Sequence, residues 1–131
     1  MPSTMIEVRC TYSQEQEIQI IEAVHAALVD GFKIPEGDRC VRLVTHEPHR
    51  FIALSRLTQP ERYTVITISA FAGRSLDAKR NLYRAIVENL EPLGIPRDHT
   101  KIILNEVAMD NWGLGGGRPA SEIEWNFKIN V

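Results

Sequence analysis

The sequence predicts an α/β (α+β) fold: two fused β-α-β units that build one four-stranded mixed sheet with both helices on one face. Three observations predict it. The chain repeats its pattern at an offset of 61 residues, so that Ile34-Pro35 recurs as Ile95-Pro96 and two strand-helix-strand patterns fall into register without a gap. Each half shows a β-rich run, then apolar residues at helical spacing, then a second β-rich run. The length of 131 residues, 44% apolar and 24% charged, suits one compact domain, with pseudo-repeats at about 2–61 and 62–117 and a tail at 118–131.

In the first β-rich run, 4–10, Thr4, Ile6, Val8 and Cys10 alternate with Met5, Glu7 and Arg9, as a half-buried strand requires. The helix at 14–32 is announced by Ser13 as N-cap with Gln16 three residues on, a capping box. Its expected buried stripe is Ile18, Ile21, His25, Leu28 and Phe32. The second unit pairs a strand at 63–71 with a helix at 75–91 that is capped by Ser75, buries Leu82, Ile86 and Leu90, and stops at Pro92, where the backbone has no N–H. Each helix leads through an Ile-Pro turn into a second strand, at 40–46 and 101–107. Regaining the sheet after a helix implies a right-handed crossover and parallel pairing. Both helices then cover one face. Consecutive apolar residues such as Val65-Ile66 and Ile102-Ile103-Leu104 predict a second face too apolar for water, which an oligomer would cover. The stretch from Ile123 to Ile129 is the expected strand reaching across that interface.

Composition excludes several partners. A net charge of −2 lacks the basic footprint of a nucleic-acid or anionic-membrane binder. No apolar run approaches the ~20 residues of a membrane span. The start has no basic region followed by an apolar stretch, so a cytoplasmic location is expected. Cys10 and Cys40 lack CxxC spacing and are expected to be buried thiols.

The chemistry-bearing residues are few. Removal of Met1 would leave Pro2 as a secondary amine at the head of a strand, and an α-amino group titrates low enough to act as a neutral base when burial or nearby cations depress it further. Arg74, in Ala72-Gly73-Arg74-Ser75, joins a strand to a helix N-terminus, where a carboxylate can be held bidentately; taken alone, the plainer account is an arginine solvated beside a turn. Asp38 stands at the head of a strand and either positions a water or a protonated amine, or serves the turn. Trp112 either walls a pocket or covers a core edge. Gly115-Gly116-Gly117 makes no phosphate loop, because neither GxGxxG nor GK[ST] is completed, and reads as a flexible segment. His46 and His49 flank Pro48 without strand or helix alignment, so they form no metal pair, and His25 reads as a core histidine.

Taken together, Pro2, the two β-α-β units, Ile34-Pro35 with Asp38-Arg39, the Ala72 to Ser75 junction and Asn111-Trp112 resemble the tautomerase superfamily. The likeness runs from Pro2 to about Gly117 and is greatest to the malonate semialdehyde decarboxylase group, with the cis-3-chloroacrylic acid dehalogenase group next. The resemblance implies a homotrimer and a small carboxylate substrate, an oxo acid held by Arg74. It implies Pro2 as general acid/base, Asp38 as its polar catalytic partner, and Trp112 and Leu114 as substrate-binding walls. Two departures stand out: Ala72 replaces a second arginine, and Leu114 stands where an aromatic can occur. Tautomerisation and decarboxylation of a β-oxo acid are both open to such a site, and neither needs a metal or cofactor. A second reading is a non-catalytic trimeric binding or structural module, since an amine still blocked by Met1 cannot act as a base.

Overall fold

The computed structural model describes residues 1–131. Strand β1 (Ser3–Val8) is followed by helix α1 (Gln14–Phe32) and strand β2 (Val41–Thr45); strand β3 (Thr64–Phe71), helix α2 (Leu76–Leu90) and strand β4 (Thr100–Val107) repeat the unit. The sheet order is β2-β1-β3-β4. Within each unit the strands are parallel, β1 with β2 and β3 with β4, and the two units join through the antiparallel pair β1 and β3. No helix is long and apolar enough to cross a membrane.

Local signals set the helix ends. In α1 the Ser13 hydroxyl accepts from the Gln16 N–H at 3.2 Å and the Gln16 side chain accepts from the Ser13 N–H at 2.9 Å, closing the capping box. Lys33 ends the helix in a left-handed conformation, φ 56°, and donates its N–H to the Val29 carbonyl. In α2 the Ser75 hydroxyl accepts from the Ala78 N–H at 3.1 Å.

The core lies between the helices and one face of the sheet. Ile6 and Val8 of β1 and Ile66 and Ile68 of β3 meet Leu82, Ile86 and Leu90 of α2, as the spacing of α2 predicts. The stripe of α1 requires a correction. Ile18 alone leaves it, 51% exposed; His25, Leu28 and Phe32 are buried and Ile21 partly so, as expected, and Ile20, Val24 and Ala27 complete the inward face. Ile18 and Ile20 both fit helical spacing with the rest of the stripe, and it is Ile20 that turns inward. A Cβ at Gly31 would stand 2.8 Å from the Leu82 Cα, so the two helices cross where Gly31 lets them approach.

Four further expectations change. The second face of the sheet is mixed: Val44, Val65 and Ile103 share it with Glu7, Arg42, Thr67, Lys101 and Asn105, because strict alternation sends Ile102 and Leu104 back to the helix side. Cys10 is half-buried and Cys40 is exposed. Gly115, Gly116 and Gly117 form a tight turn, all at positive φ, between the short strands β5 (Gly113–Leu114) and β6 (Arg118–Pro119). The tail forms no strand between Ile123 and Ile129. Its side chains still alternate inward and outward, but it folds back on its own chain: Trp125 packs edge-on against Phe71, Ile129 lies over Gly73, and the Val131 carbonyl accepts from the Ser75 N–H at 3.0 Å.

Replacing Gly31 with Ala tests the crossing, because the same change in an uncrowded helix is stabilising. Urea denaturation should show a loss of roughly 1–3 kcal/mol from overpacking. Gly37→Ala, where a Cβ meets nothing within 4 Å, should leave the midpoint nearly unmoved.

Candidate active site

Topology assembles the site at one end of the sheet. The antiparallel register sets Ser3 opposite Ser69, so the start of β1 lies beside the exit of β3, which continues through Gly73 into Arg74. The parallel register sets Thr4 opposite Val41, so Asp38, just before β2, arrives at the same end. The chain's terminal nitrogen, on Met1, stands 3.7 Å from Asp38 Oδ2. Met1, Pro2, Ser3, Cys40, Trp112 and Leu114 line a cavity of about 320 Å³. Pro2 itself is buried.

Arg74 is not a solvated surface arginine. It is 6% exposed, with its guanidinium 4.7 Å from the centre of the Phe32 ring, a cation-π contact. Nη1 donates to the Phe71 carbonyl at 3.1 Å, while Nε and Nη2 are buried without a partner. Buried polar groups are normally paired, so two free guanidinium donors point to a missing acceptor. Asp38 Oδ1 is likewise buried and unpartnered. Arg74 does not itself line the cavity, while Met1, whose amine feels the charges of Asp38 and Arg74, and Pro2 do.

The electrostatics are directional. Burial holds the terminal amine below its ordinary value; the Asp38 carboxylate opposes that shift and Arg74 reinforces it. Burial also lowers the Arg74 guanidinium, against the pull of Glu106. Glu106 is engaged elsewhere, accepting from Lys79 Nζ at 2.8 Å.

The arrangement brings Pro2, Asp38 and Arg74 to one end of the sheet and sets Trp112 and Leu114 in the cavity wall. Trp112 packs edge-on against Phe71, 5.1 Å between ring centres, so it both walls the cavity and covers the end of β3. Ser3, Cys40 and Phe32 were not singled out by the sequence. Cys40 follows Asp38 by two residues at a strand head and could have been found from that position; the contact of Phe32 with Arg74 had no local signal. No three His, Cys, Asp or Glu side chains converge anywhere in the chain. His46 Nε2 instead meets Glu7 Oε1 at 2.9 Å. A larger cleft of about 390 Å³ opens between α1 and the 36–39 segment. It holds neither the amine nor Arg74.

The fold defines the class: a fused pair of β-α-β units whose terminal amine meets a carboxylate and a buried arginine at the sheet end. Residues 38–115 match the family described as tautomerase enzyme, and the chain belongs to that family. Solved structures that share the fold include the following three. One is a malonate semialdehyde decarboxylase described as having decarboxylase and hydratase activities, 23% identical, covering 89% of this chain and 93% of that one with a TM-score of 0.80. Another, FG41 malonate semialdehyde decarboxylase inhibited by 3-bromopropiolate, is 34% identical over 88% of this chain and 90% of that one, with a TM-score of 0.73. A fused 4-OT asymmetric trimer is 21% identical over 91% and 96%, with a TM-score of 0.80.

Titrating the terminal amine by NMR tests the electrostatic picture. Its midpoint should fall below that of a free α-amino group. Asp38→Asn removes the charge that favours the ammonium form and should lower the midpoint further; Arg74→Ala removes the opposing cation and should raise it. A midpoint indifferent to both changes would mean that these charges do not meet at the amine.

Proposed function

We propose that the protein, after removal of Met1, acts on a small oxo acid with Pro2 as general acid/base. The observation that carries this reading is the convergence, at the start of β1, of Asp38 and two unpaired Arg74 donors on a place where burial depresses the amine of Met1, the residue before Pro2. Removing Met1 transfers the amine one residue inward, to the buried proline, and takes away one wall of the cavity. The substrate carboxylate then supplies the acceptor that Nε and Nη2 lack.

In tautomerisation, neutral Pro2 takes a proton from the carbon beside the carbonyl, and the proton returns at the other end of the enol system. In decarboxylation of a β-oxo acid, the bond to the carboxyl carbon breaks, carbon dioxide leaves, and the electron pair becomes an enolate. Arg74 and protonated Pro2 stabilise that charge, and Pro2 then gives its proton to the enolate carbon. A positioned acid or base contributes ~10²–10⁴-fold, and fixed charges supply the remainder. Asp38 favours the protonated amine, so it serves decarboxylation more than proton abstraction. The decarboxylase neighbours make malonate semialdehyde the first substrate to test.

The same reading carries three subunits. The fused 4-OT neighbour is a trimer, and Val44 and Ile103 stand exposed on the uncovered face here. Light scattering should return three times the 14.9 kDa chain mass. A stable monomer at micromolar concentration would contradict it.

Three kinetic outcomes test the chemistry. Protein that retains Met1 should not turn over phenylenolpyruvate or malonate semialdehyde, while its circular dichroism matches the processed form; equal activity of the two forms would remove Pro2 from the mechanism. Arg74→Ala should lose a contact of roughly 1.5–3 kcal/mol, about ten- to hundredfold in kcat/KM for acids, with neutral analogues largely spared. Asp38→Asn should reduce carbon dioxide release more than tautomerisation. Absence of carbon dioxide release where tautomerisation is readily seen would leave a plain tautomerase.

A further inference from the structure

The mechanism leaves one buried polar side chain unused. His25, on α1, is 3% exposed, and its Nε2 stands 2.7 Å from the Glu36 carbonyl oxygen. A carbonyl oxygen only accepts, so Nε2 carries the proton and donates it. Glu22, one turn earlier on the same helix face, forms an ion pair with Arg39. Two α1 side chains thus grip the connection between α1 and β2 at Glu36 and at Arg39, on either side of Asp38.

The segment between those grips has no other anchor of its own, the next one being the Cys40 carbonyl just beyond Arg39, which accepts from the Thr4 N–H of β1 at 3.0 Å. Gly37 contributes no side chain, and the space around it is open. The local bonds are those of a tight turn, Asp38 N–H to the Pro35 carbonyl and Arg39 N–H to the Gly37 carbonyl, both at 3.0 Å. They shape the turn without anchoring it to the body of the protein. The Asp38 carboxylate faces the Met1 amine, one residue before Pro2, with Oδ2 and has no partner at Oδ1. Its position is therefore inherited from the backbone. A charge-charge interaction weakens with distance, and a misplacement of about 1 Å in a reacting constellation can cost about 10²-fold.

We propose that His25 is a positioning residue: its hydrogen bond to the Glu36 carbonyl, seconded by the Glu22 to Arg39 pair, sets the distance between the Asp38 carboxylate and the terminal amine. The proposal rests on the role given to Asp38 above. It assigns function to a histidine that packing alone would explain as a core residue. It also makes α1, which contributes no group to the cavity wall, a determinant of the balance between decarboxylation and tautomerisation.

The test uses protein lacking Met1 and four substitutions: His25→Leu, which keeps bulk without the donor; His25→Gln, which restores an N–H donor; Glu22→Gln, which breaks the exposed second grip; and Asp38→Asn. Rates of malonate semialdehyde decarboxylation and phenylenolpyruvate tautomerisation are measured against pH, with a thermal melt for each variant. His25→Leu should lower decarboxylation about tenfold, spare tautomerisation by comparison, and move the amine's titration limb to lower pH, since Arg74 would then act on the amine with less opposition from Asp38. His25→Gln should recover most of the loss. In the Asp38→Asn background, His25→Leu should change neither rate further. Equal losses in both reactions that add to those of Asp38→Asn, with an unmoved pH profile, would overturn the proposal and leave His25 a packing residue. Should His25→Leu not fold, Glu22→Gln decides: a pH limb moved in the same direction supports the clamp, and an unmoved limb overturns it. If Asp38→Asn alone alters neither reaction nor the pH limb, the role of Asp38 fails; if it alters them while the His25 and Glu22 variants do not, only the clamp fails.

Discussion

The antiparallel pairing of β1 with β3 is the constraint on which the site depends. Each β-α-β unit alone runs its strands in parallel and would leave the start of its first strand far from the exit of that same strand. Joining the units antiparallel through Ser3 opposite Ser69 carries the exit of β3 to the start of β1, and the strand-to-helix junction with it. Asp38 arrives by the parallel β1 to β2 pairing, and Arg74 by the antiparallel one. The amine, the acid and the arginine thus come from three distant parts of the chain without a specialised loop to gather them.

Burial then sets the character of each group. Arg74 rests on Phe32 and gives one donor to the Phe71 carbonyl, leaving two donors enclosed and unpaired. A buried guanidinium with free donors is costly to stability, and a well-packed apolar side chain would avoid that cost. The arrangement makes physical sense when an anion completes it. On the proposed reading, removal of Met1 both exposes the Pro2 amine and leaves room for that anion.

Much of the fold was legible because its signals are local. Ser13 with Gln16 and Ser75 with Ala78 define where the helices begin, and the repeated Ile-Pro turns define how each unit closes. Pairing partners were legible only in part: parallel pairing follows from the crossover, whereas the register between units is a long-range choice. The inward face of α1 was read correctly at Ile21, His25, Leu28 and Phe32 and wrongly only at Ile18, because Ile18 and Ile20 both fit helical spacing near the start of the helix. The tail shows the opposite failure: alternation from Ile123 to Val131 is real, but a strand needs a partner edge, and the tail finds aromatic and backbone contacts on its own chain instead. That Pro2, Asp38 and Arg74 share one end of the sheet was legible from the Met-Pro start, the head of β2 and the junction of β3 with α2. The burial of Arg74 was not, because Phe32 lies more than forty residues away in sequence.

The central claim is that a carboxylate completes Arg74 once Met1 is gone. Isothermal titration calorimetry with an unreactive small dicarboxylate, malonate, on the Met1-lacking protein, the Met1-retaining protein and the Met1-lacking Arg74→Ala variant tests it most directly. The account predicts saturable binding to the first alone. Equal binding to the Met1-retaining form, or binding that survives the loss of Arg74, would contradict it.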